Sequence, residues 1–233
     1  MIKAIFFDWF GTLACFEPPR EELYRRALGE FGIEVSPNRL TPGILAADEY
    51  FYEEHARSPV ERREPQKQAE VQTRYLNIVL TGGGVKADQE LLVKLMKRTQ
   101  QLFRGLTFIL FDDVLPVLKT LKGQRLILGL LTNASKSMIS IYRKLGLEPY
   151  LDFVVTSDET GADKPEPAIF WAALEQAGVK TSEATHVGDQ YKIDVVGARG
   201  VGIKPILIDR HNLYPQVNDC PRICNLTELA QYL

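Results

Sequence analysis

Cysteine, histidine and tryptophan are scarce in this chain, at three, three and two residues among 233. Three cysteines cannot all pair, and so few exclude a disulfide scaffold, so Cys15, Cys220 and Cys224 are read as free thiols. Cys220 and Cys224 lie four apart, but no histidine or further cysteine lies close in sequence to complete a zinc set. Long apolar runs are missing as well. Leu126 to Leu131 is the longest candidate, far short of the roughly 18 residues that a membrane-spanning helix needs. Nor is there an excess of one charge: 28 basic side chains stand against 30 acidic ones, which removes the electrostatic footprint of a nucleic-acid binder. The densest basic stretches, Arg62-Arg63 and Lys94 to Arg98, are interleaved with Glu, Gln or apolar residues and read as solvated helix faces. Met1-Ile2-Lys3 runs straight into Ala4 to Phe7 and Asp8, a pattern that does not fit a signal peptide. A cytoplasmic protein is expected, with neither nucleic acid nor membrane as partner; no sequence feature assigns an oligomeric state.

What the chain does have is an ordinary globular balance, 45% hydrophobic and 25% charged, enough to bury one large core or a domain of about 150 residues carrying an insertion. From Phe108 onward, short apolar runs alternate with helical patterns, the mark of a parallel sheet covered on both faces. Strands are expected over Lys3–Phe7, Arg125–Leu131, Phe153–Val155, Thr185–Val187 and Ile203–Ile208. Helices are expected over Val114–Lys122, Lys136–Leu145, Pro167–Ala177 and Asp194–Arg199. Between Pro18 and Arg104 the pattern changes to helix after helix: Glu21–Phe31, Pro42–Ala56, Gln66–Leu80 and Asp88–Phe103, broken by Ser36-Pro37, Ser58-Pro59 and Gly82-Gly83-Gly84. The fold expected is α/β: a Rossmann-like, doubly wound parallel sheet core from residues 1–16 and 105–233, with an inserted all-helical cap domain at residues 17–104.

Open parallel sheets bind ligands beyond the carboxyl ends of their strands, and four such ends carry polar residues. Asp8-Trp9-Phe10-Gly11-Thr12-Leu13 follows the first strand, and Thr132-Asn133-Ala134-Ser135 follows Leu126–Leu131 and leads into a helix whose free N–H groups favour an anion. Lys164-Pro165-Glu166-Pro167 precedes a proline-marked helix. Gly188-Asp189-Gln190-Tyr191-Lys192-Ile193-Asp194 places two carboxylates five apart across a strand-to-helix turn; with Asp8 they could hold a hard divalent cation. Taken singly, the acids and Asn133 read equally as helix or turn caps, and Lys164 as a surface lysine.

The order Asp-x-x-Gly-Thr-Leu, Thr-Asn, Lys-Pro and Gly-Asp-x-x-x-x-Asp, with a helical insertion after the first, resembles the haloacid dehalogenase (HAD) superfamily over essentially the whole chain, most closely at Phe6–Leu13 and His186–Gly202. The resemblance implies a Mg2+-dependent hydrolase, a phosphatase acting on a small phosphorylated metabolite through an aspartyl-phosphate at Asp8. It implies that Thr12 helps hold the loop and contributes to substrate binding, that Thr132 and Asn133 hydrogen-bond the transferring group, and that Lys164 neutralises charge on the nucleophile and phosphoryl oxygens. For Mg2+ it implies the Asp8 carboxylate, the Phe10 backbone carbonyl and Asp189, with Asp194 in support.

One position departs from the family's phosphatases. Where they carry a second Asp, which protonates the leaving group and then activates water, this chain has Phe10. Slow turnover, a good leaving group, or an acid from the insertion (Asp48, Glu49 or His55) would accommodate that change. Two other readings follow. The superfamily's true 2-haloacid dehalogenases place a Tyr at that position and use the nucleophile without metal, but they lack the Gly-Asp intact here at Gly188-Asp189. They also carry a Tyr where this chain has Phe170 and an Arg early in the second cap helix, whereas no Arg occurs between Pro42 and Ala56. A non-catalytic binding protein on the same fold would be expected to have lost more than one motif residue.

Overall fold

In the computed structural model, which describes residues 1–136 and 138–233, the apolar run after Lys3 forms β1 (Ala4–Phe7), buried at every position. Being buried on both faces, it needs a parallel neighbour on each side. β4 (Ile127–Thr132) and β6 (Ala184–Gly188) supply them, in registers that place Phe7 opposite Leu130 and Val187. β5 (Phe153–Thr156) lies outside β4, and β7 (Lys204–Ile208) and β8 (Arg222–Ile223) lie outside β6, giving the parallel order β5-β4-β1-β6-β7-β8. The chain builds outward from β1 on one side and then returns to the other. The change of direction at β1 opens a crevice beyond its carboxyl end, and Asp8 is the next residue. The fold is thus α/β and doubly wound.

The helices pack by their apolar stripes. α5 (Val114–Gly123), α6 (Met138–Lys144), the short α7 (Ser157–Thr160), α8 (Pro167–Ala177) and α9 (Val196–Gly200) accompany this sheet. α8 presents Ile169, Phe170, Ala173 and Leu174 to Phe6, Leu131 and Val155, each large apolar side chain contributing about 1.5–3 kcal/mol on burial. The helix expected over Lys136–Leu145 includes Ser137, which lies outside the described residues. Arg125, expected to open β4, instead has φ 62° and sits in the turn before it. The helix expected from Asp194 begins as a π turn, Tyr191–Val195, which runs into α9. β8 is too short for any periodicity to reveal.

The chain divides into two compact units, Met1–Cys15 with Ile109–Leu233, and Phe16–Phe108. Both crossings fall in a two-stranded ribbon, β2 (Ala14–Glu17) with β3 (Thr107–Leu110), which helical reading of the insertion overlooks. The second unit is otherwise helical: α1 (Arg20–Gly29), α2 (Pro37–Arg57), α3 (Pro65–Gly82) and α4 (Gln89–Phe103). α2 starts five residues before the expected Pro42, with Pro37 in its first turn, and therefore contains Arg39, whose guanidinium lies beside Gly84. Its Gly43 meets Gly82 of α3 so closely that a Cβ on either would overlap the other helix. Leu40, Ile44, Leu76, Val79, Leu80 and Leu95 fill the core of this unit. Among the described residues no helix is long and apolar enough to cross a membrane.

Candidate active site

Asp8 leaves β1 still in the ladder, its N–H bonded to the Val187 carbonyl at 2.9 Å, so its carboxylate is aimed by the sheet rather than by a mobile loop. The chain then turns sharply. Gly11 takes φ +82° and lies against the Asp189 carboxylate, where a Cβ would overlap the acid. Gly at that position thus serves both the backbone conformation and the close approach of two strand ends.

Lys164 is almost fully buried, at 1% exposure, and its ammonium is spent on two carboxylates: Asp8 Oδ1 at 2.5 Å and Asp194 Oδ1 at 2.7 Å. Asn133 holds that lysine in place. Its Oδ1 accepts from the Lys164 N–H at 2.7 Å and its Nδ2 donates to the Lys164 carbonyl at 2.8 Å, so the second and third motifs are locked together through an amide–backbone pair. Thr132 ends β4, buried, opposite Thr156. Thr12 is fully buried, and its hydroxyl oxygen has no hydrogen-bond partner among the described residues. Phe10, half-buried, makes an isolated bridge with Ala14 in the same turn.

The two acids of the fourth motif differ in what surrounds them. Asp194 is saturated: Oδ1 accepts from Lys164 and faces His186 Nε2 at 2.9 Å, and Oδ2 accepts from the Gln190 N–H at 3.0 Å. Burial disfavours its charge, but Lys164 and His186 outweigh burial and hold its carboxyl below the usual range. Asp189 has one oxygen bonded to the Gln190 amide at 2.7 Å, while Oδ1 is buried with no partner among the described residues. Burial, reinforced by Asp8 and Asp194, pushes its carboxyl well above the ordinary value. Burial likewise raises Asp8 to about 6 against the opposing pull of Lys164. Burial tends to lower the Lys164 pKa, but Asp194 and Asp8 prevail and raise it, and burial lowers that of His186 despite Asp194.

One oxygen from each of Asp8, Asp189 and Asp194 lies within 4.8 Å of the others. Three carboxylates against one ammonium leave negative charge uncompensated, and one of the Asp189 oxygens is buried with no hydrogen-bond partner among the described residues. A hard divalent cation fits this donor set, because it would restore the ionised state that burial opposes.

His186, inside β6, is buried edge-on to Phe170 with centroids 5.3 Å apart and touches the site through Asp194. Arg210, Gln190 and Asp113 escaped sequence reasoning entirely. Arg210 donates to the Thr12 carbonyl at 2.8 Å, pairs with both Asp113 oxygens at 3.0 Å, and stacks on Phe111 at 3.9 Å. An arginine just past the last long strand carries no local signal; only the fold brings it to the turn that follows Asp8. Truncating it leaves Asp113 and the Thr12 carbonyl without their charged partner. Arg210→Ala should lose about 3 kcal/mol of stability in urea denaturation; a change under about 0.5 kcal/mol would mean the contacts are superficial. In the helical unit, Asp48 is held by Arg20 at 2.7 and 2.5 Å and by the Tyr75 hydroxyl at 2.7 Å. Its oxygens are thus committed to that unit's own packing. His55 is buried beside Glu61, and Glu49 is exposed.

A parallel sheet ending in an aspartate, a buried lysine and an acidic pair defines a class of hydrolases. The model for haloacid dehalogenase-like hydrolases matches residues 2–202, and the chain belongs to that family. Human haloacid dehalogenase-like hydrolase domain-containing protein 3 is 29% identical over 240 residues, covering 100% of this chain and 92% of that protein. The zebrafish (Danio rerio) protein of the same name is 36% identical over 53% of this chain and 51% of its own length. The ribulose-1,5-bisphosphate 5-phosphatase of Halopiger xanaduensis is 35% identical over 43% of this chain and 42% of that protein, so the chain spans about half or less of the length of two of these relatives. Among solved structures, the HAD phosphatase of Thermococcus onnurineus (TM-score 0.60) and the 2-haloacid dehalogenase of Pseudomonas syringae (TM-score 0.57) are each 25% identical, covering 99% of this chain and 97% of theirs.

Proposed function

We propose that this hydrolase is a Mg2+-dependent phosphatase acting on a small phosphorylated metabolite. The observation that carries the reading is that Asp189, one of three clustered carboxylates whose one ammonium is already shared between Asp8 and Asp194, has a buried oxygen with no hydrogen-bond partner among the described residues. The similarity to a sugar-bisphosphate phosphatase supports it. Asp8, Asp189 and the Phe10 carbonyl would hold the cation, with Asp194 supporting from behind Lys164. Bound there, Mg2+ would supply charge neutralisation for the nucleophile and the phosphoryl oxygens.

The chain's own residues do the rest. Lys164 holds Asp8 Oδ1, which leaves Oδ2 to attack phosphorus; the bond to the ester oxygen breaks, and an aspartyl-phosphate forms on Asp8. Thr132, at the end of β4, donates to phosphoryl oxygens. Asn133 acts through Lys164, fixing its backbone so that the ammonium stays between two acids, and Thr12 lines the turn. Water then attacks phosphorus, releasing phosphate and regenerating the Asp8 carboxylate. Neither proton transfer has a carboxyl group at position 10 to assist it, so turnover is slow for poor leaving groups. We assign residues 17–104 as a cap domain that sets specificity, on the ground of their insertion directly after the nucleophile motif. The free thiols of Cys220 and Cys224 suit a reducing cytoplasm.

Phosphate release from a panel of phosphomonoesters, with and without Mg2+, tests the reading. Release that requires Mg2+ is the expected result. No release from any ester overturns it, and chloride release from 2-chloropropionate without metal would establish the second reading, carbon–halogen hydrolysis, which Phe10 and the Pseudomonas syringae structure favour.

A further inference from the structure

We propose that Gln190 is a positioning residue for the cation site: its side chain fixes the rotamer of Asp189 and so decides which carboxylate oxygen is presented to the metal. The inference rests on the Mg2+ reading above and deepens it. Gln190 touches both acids of the fourth motif by separate groups, its backbone N–H bonding Asp194 Oδ2 at 3.0 Å and its side-chain Nε2 bonding Asp189 Oδ2 at 2.7 Å. The carboxylate has two oxygens and rotates about one bond. With Oδ2 taken by the amide and the Gly11 turn packed against the group, Oδ1 is the oxygen left unpartnered and buried.

The amide is itself oriented. Nε2 faces Asp189, the orientation that a carboxylate ionised by a bound cation requires because it can only accept, and Oε1 is then turned to an external donor. That donor is the Tyr214 hydroxyl at 3.4 Å. Tyr214 in turn sits on a loop tied to the end of β7. Buried Asp209 accepts from the Leu213 N–H at 2.7 Å, from the Tyr214 N–H at 2.9 Å, and from Arg222 at 2.9 Å. A chain of contacts therefore runs from the sheet edge through Tyr214 and Gln190 to the Asp189 carboxylate.

The test is Mg2+ affinity by isothermal titration calorimetry, with Mn2+ binding by electron paramagnetic resonance as an independent reading, on wild type, Gln190→Met and Tyr214→Phe. Methionine keeps the length of the side chain, removes its donor and acceptor, and leaves the backbone bond to Asp194 in place. Gln190→Met should raise the Mg2+ Kd by about 10-fold or more, the range seen when an outer hydrogen bond to a metal ligand is lost, while the melting temperature in EDTA stays at the wild-type value. Tyr214→Phe should shift Kd in the same direction by less, and it keeps the inference testable if Gln190→Met does not fold. Wild-type affinity in both variants overturns the role of Gln190 and leaves the Mg2+ reading standing. A wild type that binds neither cation overturns both.

Discussion

Asp8→Asn should abolish phosphate release, by about 10⁴-fold or more, as expected when a covalent nucleophile is removed. Asparagine is nearly isosteric, and its amide oxygen can still accept from Lys164, but it is a poor nucleophile. The loss should come without loss of the fold. Burial raises the Asp8 carboxyl from 3.8 to about 6, so the native state binds its proton more tightly than the unfolded chain does. Without metal, wild-type stability should therefore fall as pH rises from about 4 to about 6, and the asparagine variant should show a shallower fall, because the raised carboxyl of Asp189 still contributes in the same direction. At neutral pH in EDTA, Asp8→Asn should melt no lower than wild type. An inactive variant that melts much lower would point to misfolding; an active one would remove Asp8 from the chemistry.

Phe10→Asp should give the second-largest effect, and in the opposite direction. General acid–base help contributes about 10²- to 10⁴-fold, and a phenyl ring supplies none. Restoring a carboxyl group two residues after the nucleophile should raise kcat within that range for alkyl phosphates, whose leaving oxygen needs a proton. The gain should be much smaller for p-nitrophenyl phosphate, whose leaving group departs unassisted. Comparing the two substrates in one variant separates proton transfer from a general change in the site. If neither gains, the acid comes from elsewhere or the natural substrate needs none.

How much of this was legible in the sequence depends on the range of the interaction concerned. Asp8, Thr132, Asn133 and Asp189 announce themselves because they stand at the end of apolar runs that must be buried strands, and a parallel sheet delivers such ends to one edge; Lys164 and Asp194 stand out only through the order of the motifs they belong to. The helical content of the insertion was legible for the same reason, since its stripes repeat over several turns. Short or non-local features were not. β2 and β3 are four-residue strands paired across the whole insertion, and Pro42 seemed to open a helix that already begins at Pro37.

By itself, then, the sequence determined the order of elements, the parallel sheet and the identity of the charged groups at its edge, all consequences of hydrophobic pattern and covalent order. Only the tertiary structure decided how those groups share their bonds. Asn133 grips the Lys164 backbone, Asp194 is filled by Lys164, His186 and Gln190, and Asp189 keeps a bare oxygen. Arg210 reaches the Thr12 carbonyl from a residue 198 positions away. The physical reason is that hydrogen bonds and charge pairs depend on atoms a few ångströms apart in space. No local pattern along the chain records which distant partner will arrive there.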